Sequence, residues 1–150
     1  MKLVVGELQE NCFILFDENK DAFVVDPGGS SENIIEAIEK NGLNIKYILL
    51  THGHFDHVGA VAALVKKYKA PVYMSKDDRA FLESPKEVRA SSFGMQIEAA
   101  DVDVFVKEGD EIPFSEGTIK VIETPGHTLG SVCYLFEIIY LQETLFLMDP

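Results

Sequence analysis

Apolar residues come in short clusters at the start of the chain and change to a helical spacing after residue 30. The clusters at residues 2 to 8, 12 to 16 and 22 to 26 predict three strands. The polar run from residue 17 to 21 separates the last two strands and is typical of a hairpin turn. The chain is therefore predicted to open as an antiparallel meander.

The next segment predicts a helix that covers one face of this sheet. Three isoleucines between residues 34 and 38 recur at helical spacing, after Ser30 or Ser31 as the capping residue. Gly42 is the residue at which we expect the helix to end, because glycine readily adopts the left-handed backbone of a helix C-terminus.

A second strand and helix follow. Residues 47 to 50 form a continuous apolar run, which is typical of a strand buried on both faces. A stripe of apolar positions from residue 58 to 68 predicts a helix, and residues 70 to 74 predict another strand. Ser75 is expected to cap a short helix that ends before Pro85.

The apolar pattern is lost between residues 84 and 101, where residues 91 to 95 are the only compact apolar point. Such a segment is either a loop over a binding site or a solvated connection. Residues 104 to 106 and 112 to 114 then flank Glu108-Gly109-Asp110, and this pattern predicts a hairpin.

Two further strands are predicted at residues 119 to 122 and 132 to 136. No linker, repeat or low-complexity tract interrupts the chain, so residues 1 to 150 are predicted to form a single domain of mixed α and β structure. A composition of 47% hydrophobic and 25% charged residues is ordinary for a soluble globular domain of this length.

Net charge and cysteine content indicate which partners the protein can bind and in which cellular compartment it works. A formal net charge of −12 repels phosphate backbones, so we expect no nucleic-acid partner. Cys12 and Cys133 are the only cysteines, which fits two core residues in a reducing compartment. The start is too poor in apolar residues for a signal peptide, and no run approaches the length of a membrane span. We therefore expect a cytoplasmic protein without membrane contact.

A cluster of potential metal-binding side chains follows the predicted buried strand at residues 47 to 50. His52, His54, Asp56 and His57 fall within six positions at a strand end, where α/β folds place their sites. Imidazole nitrogen and carboxylate oxygen are usual ligands of Zn²⁺ and similar first-row ions. The alternative is a solvated loop in which Asp56 caps the following helix. The close spacing of the four polar side chains favours a metal site over a solvated loop. Burying four polar groups at a strand end without a partner would be costly.

The spacing divides these side chains between two ions. Alternate side chains of an extended segment share a side, so His52 and His54 can reach one ion together. His57 breaks this alternation and is expected to face a different ion. Asp56 reaches that second ion only if the chain turns after Phe55, which the sequence allows without requiring it.

Two more polar residues lie beside predicted turns. His127 is the last of four histidines and follows Pro125-Gly126; beside the first cluster we interpret it as a further ligand. Asp26 ends a predicted strand before Pro27-Gly28. Its carboxylate either orients a metal-bound histidine from behind or forms a local Asx-type turn.

These motifs carry a family resemblance. The H-x-H-x-D-H motif at residues 52 to 57, with Gly126-His127-Thr128 much later, resembles the metallo-β-lactamase superfamily. Within it, Asn11-Cys12 and Val25-Asp26-Pro27-Gly28 are similar to the small glyoxalase II-like (hydroxyacylglutathione hydrolase-like) enzymes, and the match runs from residue 2 to about 137. The resemblance implies an αββα sandwich of the α/β (α+β) class.

The resemblance also implies a metal-dependent hydrolase with two ions, of zinc or else of iron or manganese. His52, His54 and His127 would hold one ion, and Asp56, the catalytic residue, would contribute to the second with His57. Zinc lowers the pKa of its bound water from about 15.7 to about 7, so that water is the expected nucleophile.

By the same resemblance, the substrate is a small thioester or related ester, such as a hydroxyacylglutathione-like compound. Glyoxalase II proper adds a helical domain that helps to hold glutathione, and no segment here corresponds to it. Two alternatives stay open. Persulfide dioxygenases of the same superfamily bind a single iron at the same histidine motif, and an inactive relic would keep the fold without turnover.

Relatives also carry residues that we do not find after His127. They follow the next strand with a Thr-Gly-Asp segment, whose aspartate bridges the two ions, and later add one more histidine. Back-translation after Glu137 with one added adenine encodes Thr-Gly-Asp, with the aspartate where Thr144 stands. We therefore expect a truncated domain with an incomplete second half, weakly active or inactive, in which residues 138 to 150 are the out-of-frame end of a hydrolase of roughly 200 residues.

Overall fold

The apolar runs of the chain pair into two β-sheets, and helices pack on one of them. This computed structural model describes residues 1 to 85, 97 to 138 and 144 to 147, with the backbone alone for residues 137, 138 and 144 to 147. The apolar point at residues 91 to 95 and most of the tail from 138 to 150 lie outside the described residues.

The first sheet has six strands that lie side by side in chain order. They are β1 (Lys2–Val5), β2 (Glu10–Phe16), β3 (Asp21–Val25), β4 (Asn44–Leu49), β5 (Val72–Ser75) and β6 (Val104–Val106). β1 to β3 form the predicted antiparallel meander, whereas β3 to β6 run parallel. Ile48 and Leu49 of β4 are both 0% exposed, which confirms a strand buried on both faces.

The second sheet has four antiparallel strands in the order β10-β9-β8-β7. They are β7 (Glu111–Phe114), β8 (Gly117–Glu123), β9 (Val132–Ile138) and β10 (Thr144–Leu147).

The predicted hairpin around Glu108-Gly109-Asp110 is wrong. The turn exists, with Gly109 at a φ of 79°, but it carries the chain from one sheet to the other. β6 pairs with β5 in the first sheet and β7 pairs with β8 in the second. Val106 and Ile112 both enter the core between the sheets from these separate positions, so the two short strands bury their apolar side chains without pairing.

Within the described residues, four α-helices coincide with the predicted helical segments. They are α1 (Ser31–Asn41), α2 (Phe55–Val58), α3 (Val61–Tyr68) and α4 (Arg79–Glu83), and a 3₁₀ helix (Lys76–Asp78) precedes α4. The stripe from residue 58 to 68 therefore belongs to two helices that break at Gly59. None of these helices is long and apolar enough to cross a membrane.

The helix ends confirm two of the three capping predictions. Gly42 ends α1 with a φ of 64°. The Ser75 hydroxyl accepts the N–H of Asp77 at the start of the 3₁₀ helix. Ser30 precedes α1 without capping it, because its hydroxyl accepts the N–H of Gly6 from the β1–β2 turn.

Two apolar cores separate three layers. The first lies between the helices and the six-stranded sheet, with Ile34, Leu64 and Leu82 contributed by helices. The second lies between the sheets, with Phe23 from the first sheet and Tyr134 from the second, and it receives no residue from a described helix. The mixed α and β fold and the layer order α, β, β match the expected sandwich, and the described part of the chain contains no helix after Glu83.

Candidate metal centre

The two histidine loops meet where the first and second sheets touch. β4 delivers the loop that begins at Thr51, and β8 leads through the His127 turn into β9. The N–H of Val132 donates to the carbonyl oxygen of Thr51 at 2.8 Å. The buried Tyr134 hydroxyl donates to the carbonyl oxygen of Leu50 at 3.0 Å. These bonds tie the end of β4 to the start of β9.

Three predicted ligands converge there. His52 Nε2 lies 3.2 Å from His54 Nδ1, and His54 Nδ1 lies 2.9 Å from His127 Nε2. One nitrogen from each ring lies within 4.8 Å of the others. Three imidazole nitrogens around one point are a donor set that suits a tetrahedral zinc site with a fourth position left open.

The protonation of these rings also suits a cation. Burial, with the nearby charge of His57, lowers the pKa of His52 to about 4. Burial and the neighbouring His127 also lower the pKa of His54. Both rings are therefore favoured in the neutral form, which leaves one nitrogen lone pair available for a metal ion.

His57 lies among three acidic side chains. Its Nδ1 lies 3.1 Å from Asp26 Oδ2 and 3.9 Å from Glu10 Oε1, and its Nε2 lies 3.8 Å from Asp56 Oδ2. Burial alone would lower its pKa, but the Asp26 hydrogen bond and the charges of Asp26, Glu10 and Asp56 raise it to about 9. His57 thus belongs to a second candidate set with Glu10 and Asp26, and this set adjoins the first, because the His57 ring centroid lies 4.0 Å from that of His52.

Asp26 contacts the loop that carries His52 and His54, on the side away from the three-histidine group. Its Oδ1 accepts the N–H of Thr51 at 2.8 Å, and its Oδ2 accepts the Thr51 hydroxyl at 2.6 Å. The same hydroxyl lies 3.1 Å from His52 Nδ1. Because these bonds cross to the loop after β4, they favour the orienting interpretation over a local Asx-type turn. Asp26 therefore contacts His57 directly and His52 through Thr51.

The turn that Asp56 needs is provided by α2. The helix begins at Phe55 and has Asp56 in its first turn; His54 occupies the capping position, and its side chain makes no capping hydrogen bond. A Cβ on Gly28 would lie 1.4 Å from the carbonyl oxygen of Asp56, and a Cβ on Gly59 would lie 2.3 Å from that of Gly28. These glycines let the segment after Asp26 pack directly against α2.

Sequence reasoning missed Glu10, which lies beside His57 and Asp26. It is 8% exposed, and the three residues form a second group that could hold an ion. The signal was present in the alternation of β2, where Glu10 shares its buried side with Cys12 and Ile14.

Sequence reasoning also missed Asp78, because no motif marks it. Asp78 is 1% exposed and accepts hydrogen bonds from both histidine loops. Phe81 of α4 lies near the same site, with its ring centroid 5.8 Å from that of His54. The 3₁₀ helix and α4 therefore border the site, which only the tertiary structure shows.

Comparison with known proteins decides the family. The sequence profile of the metallo-beta-lactamase superfamily matches residues 5 to 138. The chain belongs to this superfamily. The expected resemblance is thereby confirmed, and so is the fold that it implied.

Several metallo-beta-lactamase-fold relatives show how much of the chain is shared. Hydroxyacylglutathione hydrolase GloC of Haemophilus influenzae is 33% identical over 137 residues, covering 87% of this chain and 63% of the relative. The B3 metallo-beta-lactamase BLEG-1 superposes with a TM-score of 0.84 at 35% identity, covering 91% of this chain and 66% of that one. TTHA1623, crystallised in a di-iron-bound form, gives a TM-score of 0.76 at 32% identity, covering 89% and 65%. The chain spans just under two thirds of the length of each.

Proposed function

We propose that this protein is a zinc-dependent hydrolase that acts on small thioesters or related esters, such as hydroxyacylglutathione-like compounds. The convergence of His52, His54 and His127 carries the proposal, since their ring nitrogens lie within 4.8 Å although His127 comes from a different sheet. The name of the Haemophilus relative supports a thioester as the substrate class.

The three-histidine group is the donor set that fits the metal this function requires. His52, His54 and His127 would hold one ion, and Asp56 with His57 would contribute to a second. Bound ions of this kind lower the pKa of water and polarise a carbonyl oxygen, so ester hydrolysis needs no protein nucleophile.

The cysteines are consistent with hydrolysis by activated water. Cys12 and Cys133 are free and buried. Burial, together with the charges of Glu10 and Asp26, raises the pKa of the Cys12 thiol well above its ordinary value. A thiol in that state is a poor nucleophile. Free buried cysteines also support the proposed cytoplasmic location of the enzyme.

Two side chains, Asp26 and Thr51, set the orientation of the His57 and His52 rings. Asp26 contacts Nδ1 of His57, which leaves Nε2 of that ring on the side of Asp56. The Thr51 hydroxyl, itself bonded to Asp26, contacts Nδ1 of His52 and leaves Nε2 of that ring toward His54. These contacts fix which nitrogen of each ring faces the candidate site.

Elemental analysis joined to a thioester panel tests the proposal. We expect the purified protein to contain zinc and to hydrolyse hydroxyacylglutathione thioesters at most weakly. The His52→Ala plus His54→Ala variant should lose both zinc and activity while keeping its circular dichroism spectrum. Unchanged metal content in that variant would falsify the assignment of the site.

The identity of the ion is the second question that this measurement answers. The di-iron form of TTHA1623 shows that a relative can hold iron. Imidazole and carboxylate ligands suit Fe(II) as well as zinc. Suppose that the isolated protein contains iron and consumes oxygen with a persulfide substrate. That result would favour the oxygenase function over hydrolysis.

A further inference from the structure

Asp78 is the residue through which the two histidine loops are joined. Its Oδ2 accepts the N–H of Gly53 at 2.9 Å and the hydroxyl of Thr128 at 2.6 Å. Its Oδ1 accepts the N–H of Gly130 at 2.9 Å. Gly53 lies between the first two histidines of the motif, whereas Thr128 follows His127 directly.

We propose that Asp78 is a positioning residue that sets the distance between His127 and the pair formed by His52 and His54. The inference rests on the proposed metal-dependent function, and it adds a residue that touches neither the ring nitrogens nor the proposed substrate. Asp78 acts on the ligands through the backbone of Gly53 and through the Thr128 turn.

The location of Asp78 makes this link stiff. The residue is 1% exposed, so water does not compete for its carboxylate oxygens. A Cβ on Gly130 would lie 2.7 Å from Asp78 Cγ, and a Cβ on Gly53 would lie 2.6 Å from the Cβ of Phe81. Both loops therefore approach the 3₁₀ helix and α4 as closely as bare backbone allows.

Local bonds carry the constraint from Asp78 to His127. The Thr128 hydroxyl also lies 2.8 Å from the Ser131 hydroxyl, which accepts the Thr128 N–H at 3.0 Å. The N–H of Gly126 donates to the carbonyl oxygen of Thr128 at 3.0 Å. His127 is itself exposed, so the tight turn on either side of it, anchored at Asp78, restricts where its ring can lie.

The chemistry of the site requires a carboxylate. The backbone N–H groups of Gly53 and Gly130 face different oxygens of Asp78. An asparagine has the same shape but replaces one oxygen by an N–H₂ donor. Either orientation of that amide would set a donor against a backbone donor, so Asp78→Asn breaks one loop contact with little change in volume.

Zinc affinity and a cobalt spectrum of the full chain test the role. In Asp78→Asn we expect the zinc dissociation constant to rise by about 10- to 100-fold, the range seen when groups behind metal ligands are changed. The absorption spectrum of the Co²⁺-loaded variant should also change, because the ligand geometry changes. Asp77→Asn is the matched control, since Asp77 is the exposed neighbour in the same 3₁₀ helix, and it should behave as wild type.

A second pair of variants decides the matter if Asp78→Asn does not fold. Thr128→Val removes only the hydroxyl contact on the His127 side and should weaken zinc binding, whereas Thr128→Ser keeps the hydroxyl and should restore it. A folded Asp78→Asn protein with wild-type zinc affinity and a wild-type cobalt spectrum overturns the inference. Equal zinc dissociation constants for Thr128→Val and Thr128→Ser overturn it as well. Wild-type protein that binds no zinc overturns the proposed function and the inference together.

Discussion

At the scale of single residues, two buried aspartates arrange the rings around the site. Asp26 is 3% exposed and contacts Thr51 and His57, and Asp78 is 1% exposed and contacts the loops on both sides. Neither residue belongs to the three-histidine group. The candidate ligands are thus held in place by two buried carboxylates through their hydrogen bonds to the histidine loops.

Asp26→Asn is expected to weaken the proposed site at His57. The change keeps the side-chain shape but removes the negative charge beside His57 Nδ1, so the ring loses its strongest orienting contact. We expect zinc affinity to fall by about 10- to 100-fold and the free energy of unfolding to fall by about 1–3 kcal/mol. Zinc titration and urea unfolding measure both, with Asp77→Asn as control. Equal results for the two variants would contradict the orienting role.

At the scale of elements, close backbone approach and one buried hydroxyl hold the loops in place. The segment after β3 packs against α2 at Gly28 and Gly59. The Tyr134 hydroxyl of β9 reaches the last residue before the metal loop, Leu50. These contacts join elements that are far apart in sequence, so the position of each ligand depends on the packing of its neighbours.

Gly28→Ala is expected to displace α2. The added Cβ would lie 1.4 Å from the Asp56 carbonyl oxygen, so the backbone must move. We expect a loss of more than about 3 kcal/mol of unfolding free energy, comparable to severe overpacking. Gly42→Ala is the matched control: its Cβ would meet nothing within 4 Å, and only the φ of 64° costs about 1–2 kcal/mol. Urea unfolding that ranks the two variants equally would count against this packing.

Tyr134→Phe tests the bond between the sheets. Removal of the hydroxyl leaves the Leu50 carbonyl oxygen without its buried donor. The expected loss is about 1–3 kcal/mol of unfolding free energy. Tyr47→Phe removes a hydroxyl that donates to the Pro113 carbonyl oxygen at an exposed position, so water can replace it and the loss should be smaller. Thermal unfolding of the metal-free proteins compares them, and a larger effect at Tyr47 would refute the argument.

At the scale of the whole molecule, a metal ion at the three-histidine group would connect the two sheets. His52 and His54 follow a strand of the first sheet, and His127 follows a strand of the second. An ion that binds the folded state alone adds stability that grows with its concentration.

The hypothesis that residues 138 to 150 are read out of frame stays a prediction at this scale, and the coding DNA sequence tests it.

Zinc is expected to raise the melting temperature of the whole chain. Saturation at about 100 times the dissociation constant adds about 2.7 kcal/mol to the unfolding free energy. His127→Ala should lose most of this gain, because the ion then contacts only the first sheet. Calorimetry with and without zinc measures the effect. Magnesium serves as control, since it prefers oxygen ligands and should change little. An equal gain in His127→Ala would show that the ion does not connect the sheets.

The sequence by itself determined most of the local structure and pointed to the candidate ligands. Short apolar clusters predict β2 and β3, the helical period predicts α1, and the histidine-rich motif at residues 52 to 57 predicts a metal-binding loop, because these signals depend on neighbouring residues. The hydrophobic period reports which side of an element is buried. It does not report which element lies opposite.

Only the tertiary structure decided which distant groups meet. The turn at Glu108-Gly109-Asp110 joins two sheets, although its residues are typical of a hairpin, because the partners of β6 and β7 come from elsewhere in the chain. Glu10 and Asp78 likewise lie at the site only because the fold brings distant segments of the chain together. Their roles depend on contacts over 47 and 52 positions of sequence, from Glu10 to His57 and from Asp78 to Gly130, and no local pattern encodes such distances.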